Sequence, residues 1–211
     1  MSRFRLLPTR EQEQALLVHC RDARYVWNLA VEQQRYWQPG RKAPGYVEQC
    51  AQLTVARAEY AWFRAGSQTV QQQALRDFAQ AMQNFFAGTH RRPTWRKAGI
   101  HEGFRQVAVK RHHVERLNRR LGRVWVPKVG WMRFRQSRPV PPGVKSYRVT
   151  RDRTGRWHIA FAHVPDAIAG PGDCSVVGID RGVAVSAALS TGELLHAPHL
   201  TPGESKRLKV L

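Results

Sequence analysis

The chain has 211 residues and a mass of 24.2 kDa, enough to bury a core without disulfide support. Its 35 Lys and Arg against 15 Asp and Glu give a formal charge of +20 and a pI near 11.3, outside the range of an ordinary enzyme of small metabolites and suited to a polyanion: DNA, RNA or an anionic membrane surface. No apolar run is long enough for a spanning helix or a secretory signal, and Cys20, Cys50 and Cys174 form no CxxC pair, so a cytoplasmic protein with no membrane partner, no disulfide framework and no zinc ribbon is expected.

In chain order, "SRFRLL" alternates like a short strand and Pro8 stops it. Thr9 with Gln12 makes a capping box, and Leu16, Cys20, Ala23, Trp27, Ala30 and Val31 then recur at helical spacing. "QPGRKAPG" reads as a loop, and a weaker helical pattern runs from about Tyr46 to Tyr60. Ser67 caps the best helix, whose stripe of Val70, Ala74, Phe78, Ala81 and Phe85 is flanked by Leu75, Met82 and Phe86 and closed by Gly88; these aromatics read as core, not as a base-stacking platform.

From Phe104 the period becomes two. "GRVWVPKVGWMRFR" and "KSYRVTRDRTGRWHIAFAHV" predict antiparallel hairpins, the second turning at Asp152–Gly155. "PDAIAGPGD" reads as a linker, followed by an apolar strand through Val176, Val177 and Ile179, a glycine turn, a second strand, a hairpin at Ser190–Gly192 and the start of a basic helix in "PGESKRLKVL". Helices followed by strands indicate an α+β body joined to the beginning of a second domain.

Basic residues crowd the stretch from Arg91 to Arg156, where the acids are Glu102, Glu115 and Asp152. Their alternation with apolar residues predicts a sheet with one apolar and one cationic face, which serves either a solvated surface or a nucleic-acid backbone. The candidate nucleic-acid contacts are Arg91, Arg92, Trp95, Arg96, Lys97, Arg105, Lys110 and Arg111, with Trp95 placed to stack on a base. His112 and His113, read as strand neighbours, would point to opposite faces and not share an ion.

One acid stands apart. In "SVVGIDRGVAVSAALSTGE" an apolar strand delivers Asp180 to its end between two glycines. Locally this is turn chemistry, the carboxylate accepting backbone N–H groups. A carboxylate held at a sheet rim also suits a hard cation, and paired Mg²⁺ ions about 4 Å apart cleave phosphodiesters where several carboxylates hold them.

"VVGIDRGVAVSAALSTGE" resembles the first RuvC motif of TnpB/OrfB-type transposon proteins. "LLPTREQEQALL" with "RYVWNLAVEQ" resembles that family's N-terminal opening, "VQQQALRDFAQAMQNFFAG" its central helix, and "VPKVGWMRFR" with "KSYRVTRDRTGRWHIAF" its strand region. The resemblance implies a wedge-like antiparallel β-barrel (strands in about 1–8 and 104–165) carrying an inserted helical bundle (about 9–90), often catalogued as helix-turn-helix, in a nucleic-acid-binding region over 1–165. The first strands of an RNase H-like (RuvC) domain would occupy 174–211. It further implies a guide RNA and DNA as partners, Mg²⁺ as cofactor, and Asp180 as a catalytic and metal-binding residue of an RNA-guided DNA endonuclease, historically described as a transposase. The family's later glutamate, second aspartate and zinc ribbon have no counterpart here, since Glu193 and Glu204 lie too close to Asp180 in sequence; the expectation is a truncated relative that binds nucleic acid without cutting it alone. A nuclease-deficient DNA-binding regulator and a general RNA-binding protein are the alternatives.

Overall fold

A computed structural model describes residues 2–36, 40, 43–164, 177–182, 185–196 and 200–208. The chain divides into two compact units, Met1–Val164 and Pro165–Leu211.

The first unit opens with strand β1 (Ser2–Leu7) and helix α1 (Arg10–Arg35). The capping box forms as expected: Thr9 Oγ1 accepts from the Gln12 backbone N–H and the Gln12 carboxamide accepts from the Thr9 N–H. Helix α2 (Tyr46–Glu59) follows, then a single-turn helix α3 (Ala61–Arg64), which no sequence signal announced, and α4 (Gln68–Phe86). Ser67 caps α4 by accepting from the Val70 N–H. The helical core takes Leu16, Cys20, Ala23, Val26 and Trp27 from α1 against Val70, Ala74, Leu75 and Phe78 from α4, and the Trp27 and Phe78 rings meet edge to face at 5.4 Å. The stripe on α4 is core through Phe78, whereas Phe86 at its end is exposed.

A buried polar knot fixes the helices to one another. Asp22 is fully buried and accepts from Arg21 and from the Gln71 carboxamide, which also donates to the Phe63 carbonyl. Arg57 donates to the carbonyls of Phe63 and Gly66 and to the Gln71 side-chain oxygen. Each member is satisfied by another, the condition under which a buried network rigidifies rather than destabilises.

Six further strands complete the sheet: β2 (Gly103–Val107), β3 (Val114–Arg116), β4 (Leu121–Val126), β5 (Gly130–Arg135), β6 (Ser146–Arg151) and β7 (Trp157–Ala162). All pairs are antiparallel, in the order β2-β6-β7-β1-β5-β4-β3, so the first strand of the chain lies at the centre of the sheet. The β6–β7 turn falls at Asp152–Gly155, where Gly155 adopts the left-handed φ of 80° and Asp152 accepts from the N–H groups of Thr154 and Arg156.

The inner face is apolar except for Gln106 on β2 and the Tyr147 hydroxyl, with Phe4, Leu6, Val124, Met132, Phe134, Val149, Ile159 and Phe161 buried. Each contributes roughly 1.5–3 kcal/mol on burial. The sheet is strongly curled. Tyr147 on β6 donates its hydroxyl to the Trp125 carbonyl on β4, four strands away, at 3.1 Å. In a flat sheet those strands would stand about 19 Å apart, beyond any tyrosine's reach. The curl does not close: β2 and β3 form its two ends and share no ladder among the described residues, so the closed barrel expected from the sequence is not found.

In the second unit, β8 (Ile179–Asp180), β9 (Ala187–Leu189) and β10 (Leu194–Leu195) form an antiparallel sheet in the order β10-β9-β8, and α5 spans Pro202–Leu208. The hairpin at Ser190–Gly192 forms as expected, with Gly192 at φ 91°. Strand β8 is shorter than the apolar run implied: Val177 is exposed and unpaired in the sheet, while Val176, the linker "PDAIAGPGD" and Cys174 lie outside the described residues.

Candidate nucleic-acid interface

The inward alternation of the strands forces their remaining residues outward. Arg3 and Arg5 on β1, Trp131, Arg133 and Arg135 on β5, and Arg123 and Trp125 on β4 therefore share the outer face. Register sets Arg5 opposite Arg135 and Arg133 opposite Arg123. Like charges directly across a ladder destabilise it.

Elsewhere the protein neutralises such pairs. Arg105 and Arg148, also opposite each other, share Asp77 of α4 at 3.6 and 2.5 Å. Arg24 Nη1 donates to both carboxylate oxygens of buried Glu102 at 2.8 Å, Arg151 meets Glu13 at 3.1 Å, and Arg123 meets Glu115 at 2.6 Å. Arg3, Arg5, Arg133 and Arg135 are exposed and have no acidic partner among the described residues. Beside them the Trp125 and Trp131 rings lie 5.7 Å apart, with the Arg123 guanidinium 4.4 Å from the Trp131 ring. Unpaired arginines next to aromatic rings match the surface that tracks a phosphate backbone and stacks bases.

The residues expected from the sequence are distributed differently. Arg91, Arg92, Trp95 and Lys97 lie exposed on an extended strap laid across α1. The strap is tied by Asn28, which exchanges hydrogen bonds with the Arg96 backbone at 2.7 and 3.0 Å, by the Trp27 indole N–H donating to Thr94, and by Arg92 donating to the Gln34 carbonyl. Trp95 is 53% exposed, as a stacking role requires. Arg96 instead turns inward, its guanidinium 3.6 Å from the Trp27 ring, and desolvation brings its pKa down to about 10. Arg105 is held by Asp77, and Lys110 and Arg111 are exposed at a separate groove beyond β2. His112 and His113 stand on a 3-10 turn (Arg111–His113), not on a strand, and their rings touch edge to face at 4.7 Å.

The outer-face arginines were missed as a group because the count of basic residues along the chain peaks elsewhere. Their signal is present in "SRFRLL" and "GWMRFR", two arginines each at alternate positions, but the register that joins them spans some 130 residues of sequence.

Asp180 ends β8 opposite Ala188, exposed, and no hydrogen bond or ion pair engages its carboxylate among the described residues. Glu204 caps α5, accepting from the Thr201 N–H and hydroxyl. Among the described residues no three His, Cys, Asp or Glu side chains gather as a metal site would require.

Residues 2–42 match the family model of a helix-turn-helix domain of the OrfB/IS605 type. Over 98% of its length the chain is 30% identical to a protein of Escherichia coli K12 named "Putative RNA-guided DNA endonuclease InsQ", and over 93% it is 31% identical to a Streptomyces pristinaespiralis protein with the same description lacking the last word. The chain is related to the TnpB/OrfB-type transposon proteins. It spans about half the length of the curated relatives it matches, 51% and 49%. In the structure, the segment matched by the helix-turn-helix model is β1, α1 and the first part of the connection toward α2. That segment includes Arg3 and Arg5 at the sheet centre.

Proposed function

We propose that this TnpB/OrfB-type chain binds a guide RNA and its DNA target, with Arg3, Arg5, Arg133 and Arg135 as the principal phosphate contacts and Trp95 and the Trp125–Trp131 pair as stacking sites. The observation that carries the reading is the set of four exposed arginines on adjacent strands that no acid among the described residues offsets, while the opposed pair Arg105 and Arg148 is neutralised by Asp77. In this reading the curled sheet with its helices is the wedge-like and recognition part of a TnpB-like nuclease, and β8 to β10 begin its RuvC-like domain with Asp180 as one metal-holding acid.

The family's Mg²⁺ chemistry needs several carboxylates around the ions. The described residues do not fit it: Asp180 is exposed and has no companion acids. No cleavage step is therefore assigned to them, and the chain is expected to bind without cutting.

The test is a salt series of binding to single-stranded RNA and to duplex DNA, with wild type and Arg5→Glu/Arg135→Glu. Each phosphate contact adds about 0.9 to the log–log salt slope on duplex DNA. The double variant should lose about two such contacts and bind both ligands more weakly; unchanged slopes and affinities refute the reading. Incubation with Mg²⁺, guide RNA and target DNA should leave the DNA intact. Cleavage would show that Asp180 is joined by further acids.

A further inference from the structure

Beyond the end of β2 the chain builds a groove of about 610 Å³, well within the size of small-ligand sites. Its floor is apolar, formed by Val109, Val114, Val140 and Val144, and its rim carries Lys110, Arg111 and Lys145. The groove exists because the chain turns sharply at Ala108, whose φ of 58° is left-handed for a residue with a side chain, after which the Val109 N–H regains the neighbouring segment by donating to the Lys145 carbonyl. Such strain is held only where the surroundings enforce it, and it concentrates at binding sites.

A second recess shares Val114 and Val140 with the first and is lined by Gln136, whose side-chain oxygen is buried with no hydrogen-bond partner among the described residues. Glu115 also lines this recess, but its carboxylate is occupied by Arg123 at 2.6 Å. The apolar floor and cationic rim suit a ligand with an apolar body and an anionic group, and the Gln136 oxygen in the adjoining recess can accept from an N–H at its edge.

We infer that this groove seats one unpaired nucleotide of a bound single strand, its base on the valine floor, its phosphate against Lys110, Arg111 and Lys145, and its edge toward Gln136. The inference rests on the nucleic-acid reading above and adds a site for a splayed base, which duplex DNA does not offer.

The test uses oligo(U) carrying 4-thiouridine and oligo(dT) carrying 4-thiothymidine, photo-crosslinked to the full chain and mapped by mass spectrometry. Crosslinks within residues 109–114 or 140–145 are expected, and the strand that gives them tells RNA from DNA. Val140→Gln, which puts a longer, polar, non-aromatic side chain on the floor, should weaken single-strand binding by about tenfold, within the range of one lost base stack, and leave duplex affinity unchanged. Lys110→Ala/Lys145→Ala, which trims only exposed side chains, should weaken single-strand binding with an unaltered melting temperature. Crosslinks confined to other segments, together with wild-type single-strand affinity in both variants, overturn the groove. If that happens while Arg5→Glu/Arg135→Glu still weakens binding, the groove fails and the nucleic-acid reading stands; if the arginine variant also binds normally, both fail.

Discussion

His19 is 2% exposed, its Nε2–H donating to the Pro127 carbonyl at 2.9 Å while Nδ1 has no partner among the described residues. Burial lowers its pKa from the ordinary 6.5, since a proton on Nδ1 would bring a charge and an unanswered donor into the core beside Phe104. The sign follows: the folded ring stays neutral while the unfolded one takes a proton below about pH 6.5, so stability falls as the solution is acidified through that value. Urea unfolding at pH 7.5 and 5.5 should show the loss, and His19→Leu should flatten it. At Gly66 the constraint is space rather than charge. A Cβ there would overlap the Asp22 carboxylate and crowd the Gln71 amide. Gly66→Ala should therefore cost about 1–3 kcal/mol in a urea titration, the range for overpacking, and a neutral result would mean the buried knot is more yielding than its hydrogen bonds imply.

Between elements the decisive joint is Asp77, through which α4 grips β2 and β6. The two arginines it serves are 38% and 40% exposed, so solvent discounts the pair and Asp77→Asn should lower stability by only roughly 1 kcal/mol. The same substitution frees Arg105 and Arg148, and the salt slope of duplex binding should steepen, a shift that a purely structural joint would not produce. Much of this level was legible in the sequence. Thr9 and Ser67 announced α1 and α4 through local capping chemistry, and Asp152 with Gly155 announced the β6–β7 turn, because all of that information lies within four residues. Short α3 escaped, since one turn has no periodicity to detect. His112 and His113 were misread as strand residues for the opposite reason: the surrounding alternation continues across a 3-10 turn whose geometry depends on Lys110 and its neighbours. The arginine face could not be seen from either contributing strand alone, and Arg96 joined the expected contacts because nothing local reveals that Trp27 lies beneath it.

At the level of the whole molecule, a formal charge of +20 on 211 residues opposes compaction through self-repulsion. Added salt should consequently raise the melting temperature of the free chain while it weakens nucleic-acid binding, two opposite trends in one titration. A melting temperature that falls with salt would mean that internal ion pairs such as Arg24–Glu102 outweigh the net repulsion. The placement of β1 has a further consequence, for synthesis. Its partners β5 and β7 begin at Gly130 and Trp157, so the first strand leaves the ribosome with nothing to pair with. At 5–20 residues per second it waits about 6–30 s, longer than most elementary folding events. During that interval Phe4 and Leu6 are sticky and unsheltered. Nascent chains of this protein are thus most vulnerable at β1, and a bulky fusion ahead of Ser2 would hinder a late strand-insertion event rather than an early one.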